Sequence, residues 1–156
     1  MTHVSLILNG TRVEAEADPN ASLLDLLREE LGQFGTKDAC RQGECGSCTV
    51  MLEGELVCSC LVHAAQAEDA SVETIEGLAA AGGLTDLQQD LVDRGGVQCG
   101  FCTPGIVLAA RHLLEHTPRP TEGDVRAALS GNLCRCTGYQ AIVDAVLAVA
   151  AERGEP

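Results

Sequence analysis

Apolar Val4, Leu6 and Leu8 alternate with polar neighbours, the chain turns at Asn9-Gly10, and extended character resumes over residues 12–15. Alternation on either side of Asn-Gly predicts a β-hairpin, because both turn residues accept positive φ. The period then changes. Ser22 precedes Leu23, Leu24, Leu26, Leu27 and Leu31, with Asp25 at the third helical position. This predicts a short amphipathic helix, N-capped by Ser22 and closed near Gly32. No period survives across residues 34–48, where Gly35, Gly43 and Gly46 punctuate a loop. Residues 50–52 and 56–58 around Glu53-Gly54 predict a second hairpin, and residues 72–75 one more strand.

Beyond Gly82-Gly83 the pattern becomes helical. Thr85 with Gln88 forms a capping box for a helix to Asp93, and Thr103-Pro104 reads as N-cap and first residue of a helix to His116. Ile106, Ala109, Ala110 and Leu113 give that helix its apolar face. Thr121 starts a helix to Leu129, and Tyr139 or Gln140 starts the last, to Arg153. A small mixed sheet with one helix is thus followed by four short helices. The change falls in the Ala/Gly-rich residues 76–83, a linker, so an α+β chain is expected with domains at 1–77 and 78–156.

The chain has 156 residues, 46% of them hydrophobic, but its only aromatics are Phe34, Phe101 and Tyr139. Two small domains with light aliphatic cores are expected, and domains of that size are often completed by a metal. The net charge of −13 comes from 23 acidic and 10 basic residues, which argues against nucleic acid or an anionic membrane as partner. The first residues lack the basic and apolar regions of a signal peptide, and no apolar run is long enough to span a membrane. The expected location is the cytoplasm, where cysteine usually serves metal or redox chemistry.

Nine cysteines make that chemistry the main question. Cys40-x4-Cys45-x2-Cys48 followed by a distant cysteine is the plant-type spacing for a 2Fe-2S cluster, in which one loop supplies three thiolates. Glycine in such a loop lets backbone N–H groups approach sulfur. Structural zinc instead prefers two separated Cys-x2-4-Cys pairs. The fourth ligand is Cys58 or Cys60; both are expected on one strand, two apart and on the same face, so parity leaves the choice open.

Cys99-x2-Cys102 alone also suits a thioredoxin-like dithiol carrier, since Cys102 precedes a helix N-terminus that would stabilise a thiolate. Cys134-x-Cys136 completes a second set of four, for which a zinc-stabilised adaptor is the alternative. His63 lacks the companion pair of a Rieske centre, and His112 and His116 read as ordinary helix histidines. Lys37, Arg41 and Arg135 flank the cysteines, where positive charge would raise a cluster's potential or simply face solvent. No nucleotide-binding loop or Ser/His/Asp set is visible, so no substrate site is expected on this chain.

Four stretches carry a family resemblance: Gly43-Glu44-Cys45-Gly46-Ser47-Cys48-Thr49-Val50, Ser59-Cys60-Leu61, Gln98-Cys99-Gly100-Phe101-Cys102-Thr103-Pro104-Gly105 and Asn132-Leu133-Cys134-Arg135-Cys136-Thr137-Gly138-Tyr139. In this order they resemble the iron–sulfur subunit of the xanthine dehydrogenase family of molybdenum hydroxylases. The resemblance implies a β-grasp ferredoxin-like 2Fe-2S domain followed by a four-helix bundle that holds a second 2Fe-2S cluster. It implies Cys40, Cys45, Cys48 and Cys60 as one ligand set and Cys99, Cys102, Cys134 and Cys136 as the other, leaving Cys58 spare. Gln98 would hydrogen-bond a molybdopterin cofactor held by a large partner subunit. Electrons would pass from that centre through the helical cluster and then the plant-type cluster. The acceptor would be FAD on a medium subunit or another group.

Overall fold

The computed structural model describes residues 1–79 and 82–154. Strands β1 (Thr2–Leu8) and β2 (Thr11–Ala17) form the first hairpin, with Asn9 and Gly10 at φ 50° and 81° as the turn demands. Ser22 caps α1 (Leu23–Asp25) in a reciprocal box with Asp25, and the helix widens into one π-helical stretch, Leu26–Glu30, before Gly32 reverses the chain at φ 67°. The second hairpin is β3 (Thr49–Leu52) with β4 (Glu55–Cys58). Short 3-10 turns at Ser59–Leu61 and Ala64–Ala67 lead to β5 (Ser71–Glu73). The five strands order as β2-β1-β5-β3-β4; β1 and β5 are parallel and the other neighbours antiparallel.

Three expectations shift. The strand expected over 72–75 stops at Glu73, because Thr74 is captured by Asn9: its N–H donates to Asn9 Oδ1 at 2.8 Å and its hydroxyl accepts from Asn9 Nδ2 at 3.0 Å. The chain there turns into a single helical turn, α2 (Ile75–Leu78), an element beyond the four expected helices. Cys102, not Thr103, occupies the N-cap of the next long helix, and Thr103 is its first residue. Of the expected linker, Ala80 and Ala81 lie outside the described residues.

Helices α3 (Asp86–Asp93), α4 (Thr103–His116), α5 (Glu122–Ala128) and α6 (Gln140–Arg153) follow. The Thr85/Gln88 and Thr121/Asp124 capping boxes both form, each satisfying orphan N–H groups at a helix start. Two aliphatic cores result. Val4, Leu6, Leu8, Leu23, Leu26, Leu27, Val50 and Val72 fill the sheet side. Leu87, Leu91, Ile106, Val125, Ile142 and Val146 fill the helical side. Neither contains an aromatic ring; Phe34 and Phe101 are exposed. The halves meet where α4 packs on β3, and Arg111 of α4 pairs with Glu73 of β5 at 2.8 Å. No helix among the described residues is long and apolar enough to cross a membrane.

Candidate metal centres

Residues 40–48 wrap into a concave loop because the backbone repeatedly takes the left-handed conformation, at Arg41, Gly43 and Gly46. The consequence is a set of N–H groups aimed at sulfur. Gln42 and Cys45 both donate their N–H to Cys40 Sγ at 3.4 Å. With a further N–H from Glu44, these donors pull the Cys40 thiol down from its usual 9.0 to about 6. A loop that stabilises anionic sulfur before any metal arrives has the chemistry of a thiolate metal site.

Cys58 and Cys60 are not on one strand as expected. β4 ends at Cys58, and Cys60 sits in the 3-10 turn Ser59–Leu61. That turn is tied to the cysteine loop: the buried Ser59 donates its hydroxyl to the Cys48 carbonyl at 2.7 Å, and its N–H reaches the same oxygen at 3.3 Å. Alternation therefore fails as a guide; both sulfurs contact Cys48, and they meet Gly43 through different backbone atoms. Cys60 accepts an N–H from Gly43 and stands against Cys48, although burial and that neighbour push it up to about 11. Cys58 instead donates its thiol to the Gly43 carbonyl at 3.8 Å and is raised chiefly by burial.

In the helical half, Cys99 and Cys102 flank a turn at Gly100 with φ 80° just before α4, and Cys134 and Cys136 lie on the loop entering α6. The N–H of Phe101 lowers Cys99, whose thiol also contacts Cys136. Cys102 is buried and lies against Cys134; burial and that neighbour push it up to about 12, outweighing the helix end. Burial thus overturns the expectation that the helix N-terminus holds Cys102 as a thiolate. For Cys134, burial opposes ionisation, but the Thr137 hydroxyl at 3.1 Å and the N–H groups of Thr137 and Cys136 hold it down.

The structure thus brings Cys40, Cys45, Cys48 and Cys60 together around one loop and Cys99, Cys102, Cys134 and Cys136 around another. Among the thiols, Cys40 contacts Cys45, Cys48 contacts both Cys58 and Cys60, Cys99 contacts Cys136 and Cys102 contacts Cys134. Among the described residues, no three His, Cys, Asp or Glu side chains converge as a single ion requires. A two-iron centre takes four thiolates, divided between its two irons.

Arg41, expected to offset cluster charge, is engaged by carboxylates: it forks onto Asp38 and reaches Asp25 at 2.9 Å. Those partners raise its pKa and neutralise the field it would otherwise exert. Gln98 is exposed, beside exposed Cys99. Three contributors had no signal in the cysteine spacing. They are Ser59, the buried Asn132, and Tyr139, whose hydroxyl accepts the Cys134 N–H at 2.8 Å and donates to the Asn132 carbonyl at 2.9 Å.

Comparison with known proteins finds two 2Fe-2S domains in this chain. Residues 6–81 match the model of a 2Fe-2S iron–sulfur cluster binding domain, and residues 74–147 that of a second 2Fe-2S binding domain. The nicotinate dehydrogenase small FeS subunit of Eubacterium barkeri is 47% identical over 143 residues, covering 92% of this chain and 91% of its own length. The xanthine dehydrogenase iron-sulfur-binding subunit of Escherichia coli O157:H7 is 45% identical over 147 residues, with 92% and 91% covered. Quinoline 2-oxidoreductase from Pseudomonas putida 86 has a chain that superposes with TM-score 0.93 at 45% identity, covering 99% of this chain and 98% of that one. In the aldehyde oxidoreductase of Megalodesulfovibrio gigas the corresponding stretch, 42% identical, is only 16% of a longer chain, and it covers 94% of this one.

Proposed function

The chain belongs to the family of small iron–sulfur subunits of molybdenum hydroxylases and dehydrogenases, and from that premise we propose which residues hold its two 2Fe-2S centres and in what order electrons cross it. Cys40, Cys45, Cys48 and Cys60 hold one centre, and Cys99, Cys102, Cys134 and Cys136 hold the other. When bound, a 2Fe-2S cluster accepts and releases one electron at a time. The chain is thus the electron-transfer subunit of a multi-subunit oxidoreductase, with the chemistry of substrate performed elsewhere.

The chain's own residues prepare and insulate the centres. N–H groups of Gln42, Glu44 and Cys45 stabilise charge on Cys40, and the Thr137 hydroxyl does so for Cys134. Ser59 fixes the turn that presents Cys60. The ferredoxin-type unit is assigned to residues 1–77 and the helical unit, read as a four-helix bundle of α3 to α6, to residues 78–156. The two separate aliphatic cores support that division.

A large molybdopterin-binding subunit is the partner on the electron-entry side, facing exposed Gln98, Cys99, Phe101 and Cys136. Gln98 hydrogen-bonds the pterin. That the matching stretch of the aldehyde oxidoreductase is a small part of one long chain supports a large partner for this unit. The electrons leave from the plant-type centre to FAD on a medium subunit or to another acceptor, in the cytoplasm. The observation that carries the reading is the pairing of eight thiols into two sets, each beside N–H donors. Its test is metal analysis of the protein purified anaerobically. About four iron and four sulfide per chain and two distinct reduced-state EPR signals are expected, since one centre lies in a sheet-side loop and the other among helices. Zinc in place of iron would refute it.

A further inference from the structure

Among the described residues, six of the ten basic side chains pair with carboxylates, and Arg28, Lys37, Arg119 and Arg135 do not. Two of these four converge on one atom. The Phe34 carbonyl accepts Arg28 Nη1 at 3.2 Å and Lys37 Nζ at 2.9 Å, and the same Arg28 nitrogen reaches the Thr36 carbonyl at 2.7 Å. Thr36 is buried, and the Arg28 guanidinium stands 5.6 Å from the centre of the exposed Phe34 ring, within cation–π range. Glu76 accepts the Gly35 N–H at 2.6 Å but pairs with neither cation.

Arg28 lies in the π-helical stretch Leu26–Glu30, where Leu31 donates to the Leu26 carbonyl, five residues back, at 3.1 Å; such a widened turn recurs at functional sites. Residues 34–37, which it holds, are the neck of the plant-type cysteine loop. Lys37 donates its N–H to the Ser47 carbonyl at 3.1 Å, so the neck closes beside Cys48, and Cys40 follows three residues on. Both cations are half-buried, so salt screens them less than a charge in open solvent. The helical set has one unpaired cation, Arg135, and it is exposed.

We propose that Arg28 and Lys37 form a cationic latch at the neck of the plant-type loop, and that the latch raises the potential of the centre held there, making it the electron sink of the chain. The proposal rests on the two-cluster reading above. Reduction adds an electron to a core that its thiolates and sulfides already make negative, and a chain of net charge −13 opposes the addition. Two positive charges gathered on one backbone oxygen, with no carboxylate to cancel them, favour the reduced state by direct attraction. As positioning residues they also fix the neck, and with it the N–H groups that Gln42 and Cys45 aim at Cys40 Sγ; hydrogen bonds to sulfur act on the potential in the same direction. One electron leaves the helical centre and one arrives at the plant-type centre. No bond is made or broken and no proton is transferred.

The midpoint potentials of both centres, read by EPR-monitored redox titration of the assembled and fully loaded complex, test this. Lys37→Met removes one charge and leaves the Phe34 carbonyl its bond to Arg28. It is expected to lower the plant-type midpoint and leave the helical one unmoved. The sharing of one electron between the centres then shifts toward the helical side by up to about tenfold, which is about 59 mV for a one-electron couple. Arg28→Met moves it in the same direction. Lys37→Arg keeps the charge and stays at the parent value, and Arg28→Lys, which keeps the charge but not the fork, falls between parent and Arg28→Met. An unmoved plant-type midpoint in loaded Lys37→Met overturns the proposal, as does an equal shift at both centres. A Lys37→Arg midpoint as low as that of Lys37→Met also overturns it, since that would mark a purely structural role. If Arg28→Met does not hold iron, the two Lys37 variants decide by the same criteria. A parent complex without two EPR signals would instead overturn the two-cluster reading, so the two failures are distinguishable.

Discussion

Cys60 and Cys58 lie two residues apart, yet replacing each by serine is expected to give opposite results. Cys58 is half-buried, donates to the Gly43 carbonyl over a long 3.8 Å and contacts the Cys48 thiol. A serine hydroxyl keeps a donor there, so Cys58→Ser should cost no more than about 1 kcal/mol and no iron. Cys60→Ser removes one of four thiolates from the plant-type set. The hydroxyl is a hard, weakly acidic substitute, so bound iron should fall from about four to about two per chain. Ser59→Ala supplies an intermediate case. It leaves the buried Cys48 carbonyl with only the weaker 3.3 Å N–H contact, a loss of about 1–3 kcal/mol, and loosens the turn that carries Cys60. Iron and sulfide per chain, the amplitude of each EPR signal and the melting temperature order the series Cys58→Ser, Ser59→Ala, Cys60→Ser. Equal iron loss in the two cysteine variants, or loss confined to Cys58→Ser, would refute the assignment.

Gly105→Ala gains helix propensity but drives a methyl group into the Gly46 carbonyl, so a net destabilisation of about 1–3 kcal/mol is expected from denaturant unfolding of the loaded chain; an unchanged or raised midpoint would contradict the tight contact. In the chelator-stripped chain, Cys40 ionises at about 6 against 9.0 for an ordinary thiol. Its alkylation by iodoacetamide, resolved by peptide mapping, should rise through pH 6 and level off by neutrality while buried Cys102, at about 12, stays unreactive. Because the unfolded chain still holds the Cys40 proton between pH 6 and 9, this group's stabilisation of the stripped fold is present above 9 and lost as pH falls through 6. A Cys40 profile centred near 9 would show that the N–H groups of the loop do not act on its sulfur.

Local signals carried the sequence reading a long way. Asn9-Gly10, Ser22 with Asp25, the Thr85/Gln88 box and the helix start at Thr121 are written within a few residues, and each forms in the structure. The spacing of Cys40, Cys45 and Cys48 is local in the same way, whereas Cys60 was named only through the family resemblance. What escaped was set by distant partners. Thr74 ends β5 through Asn9, 65 positions away, and Asn132 reaches Thr49 and Gly46 across separations of 83 and 86. No period or spacing encodes such contacts. Strand parity misled at Cys60 because it presumes that the strand continues, whereas the hydrogen bonds from Ser59 to Cys48 turn the chain out of the sheet.

Electrons are proposed to cross this subunit in series, entering at the helical centre and leaving from the plant-type centre. The most direct measurement compares single-turnover reduction by substrate with steady-state turnover in the assembled Cys45→Ser complex, once assembly and the helical centre's EPR signal are verified. Rapid reduction of the molybdenum and helical centres should survive while kcat collapses, because the exit is cut but the entrance is not. Wild-type turnover with the physiological acceptor in that variant would contradict the proposed order.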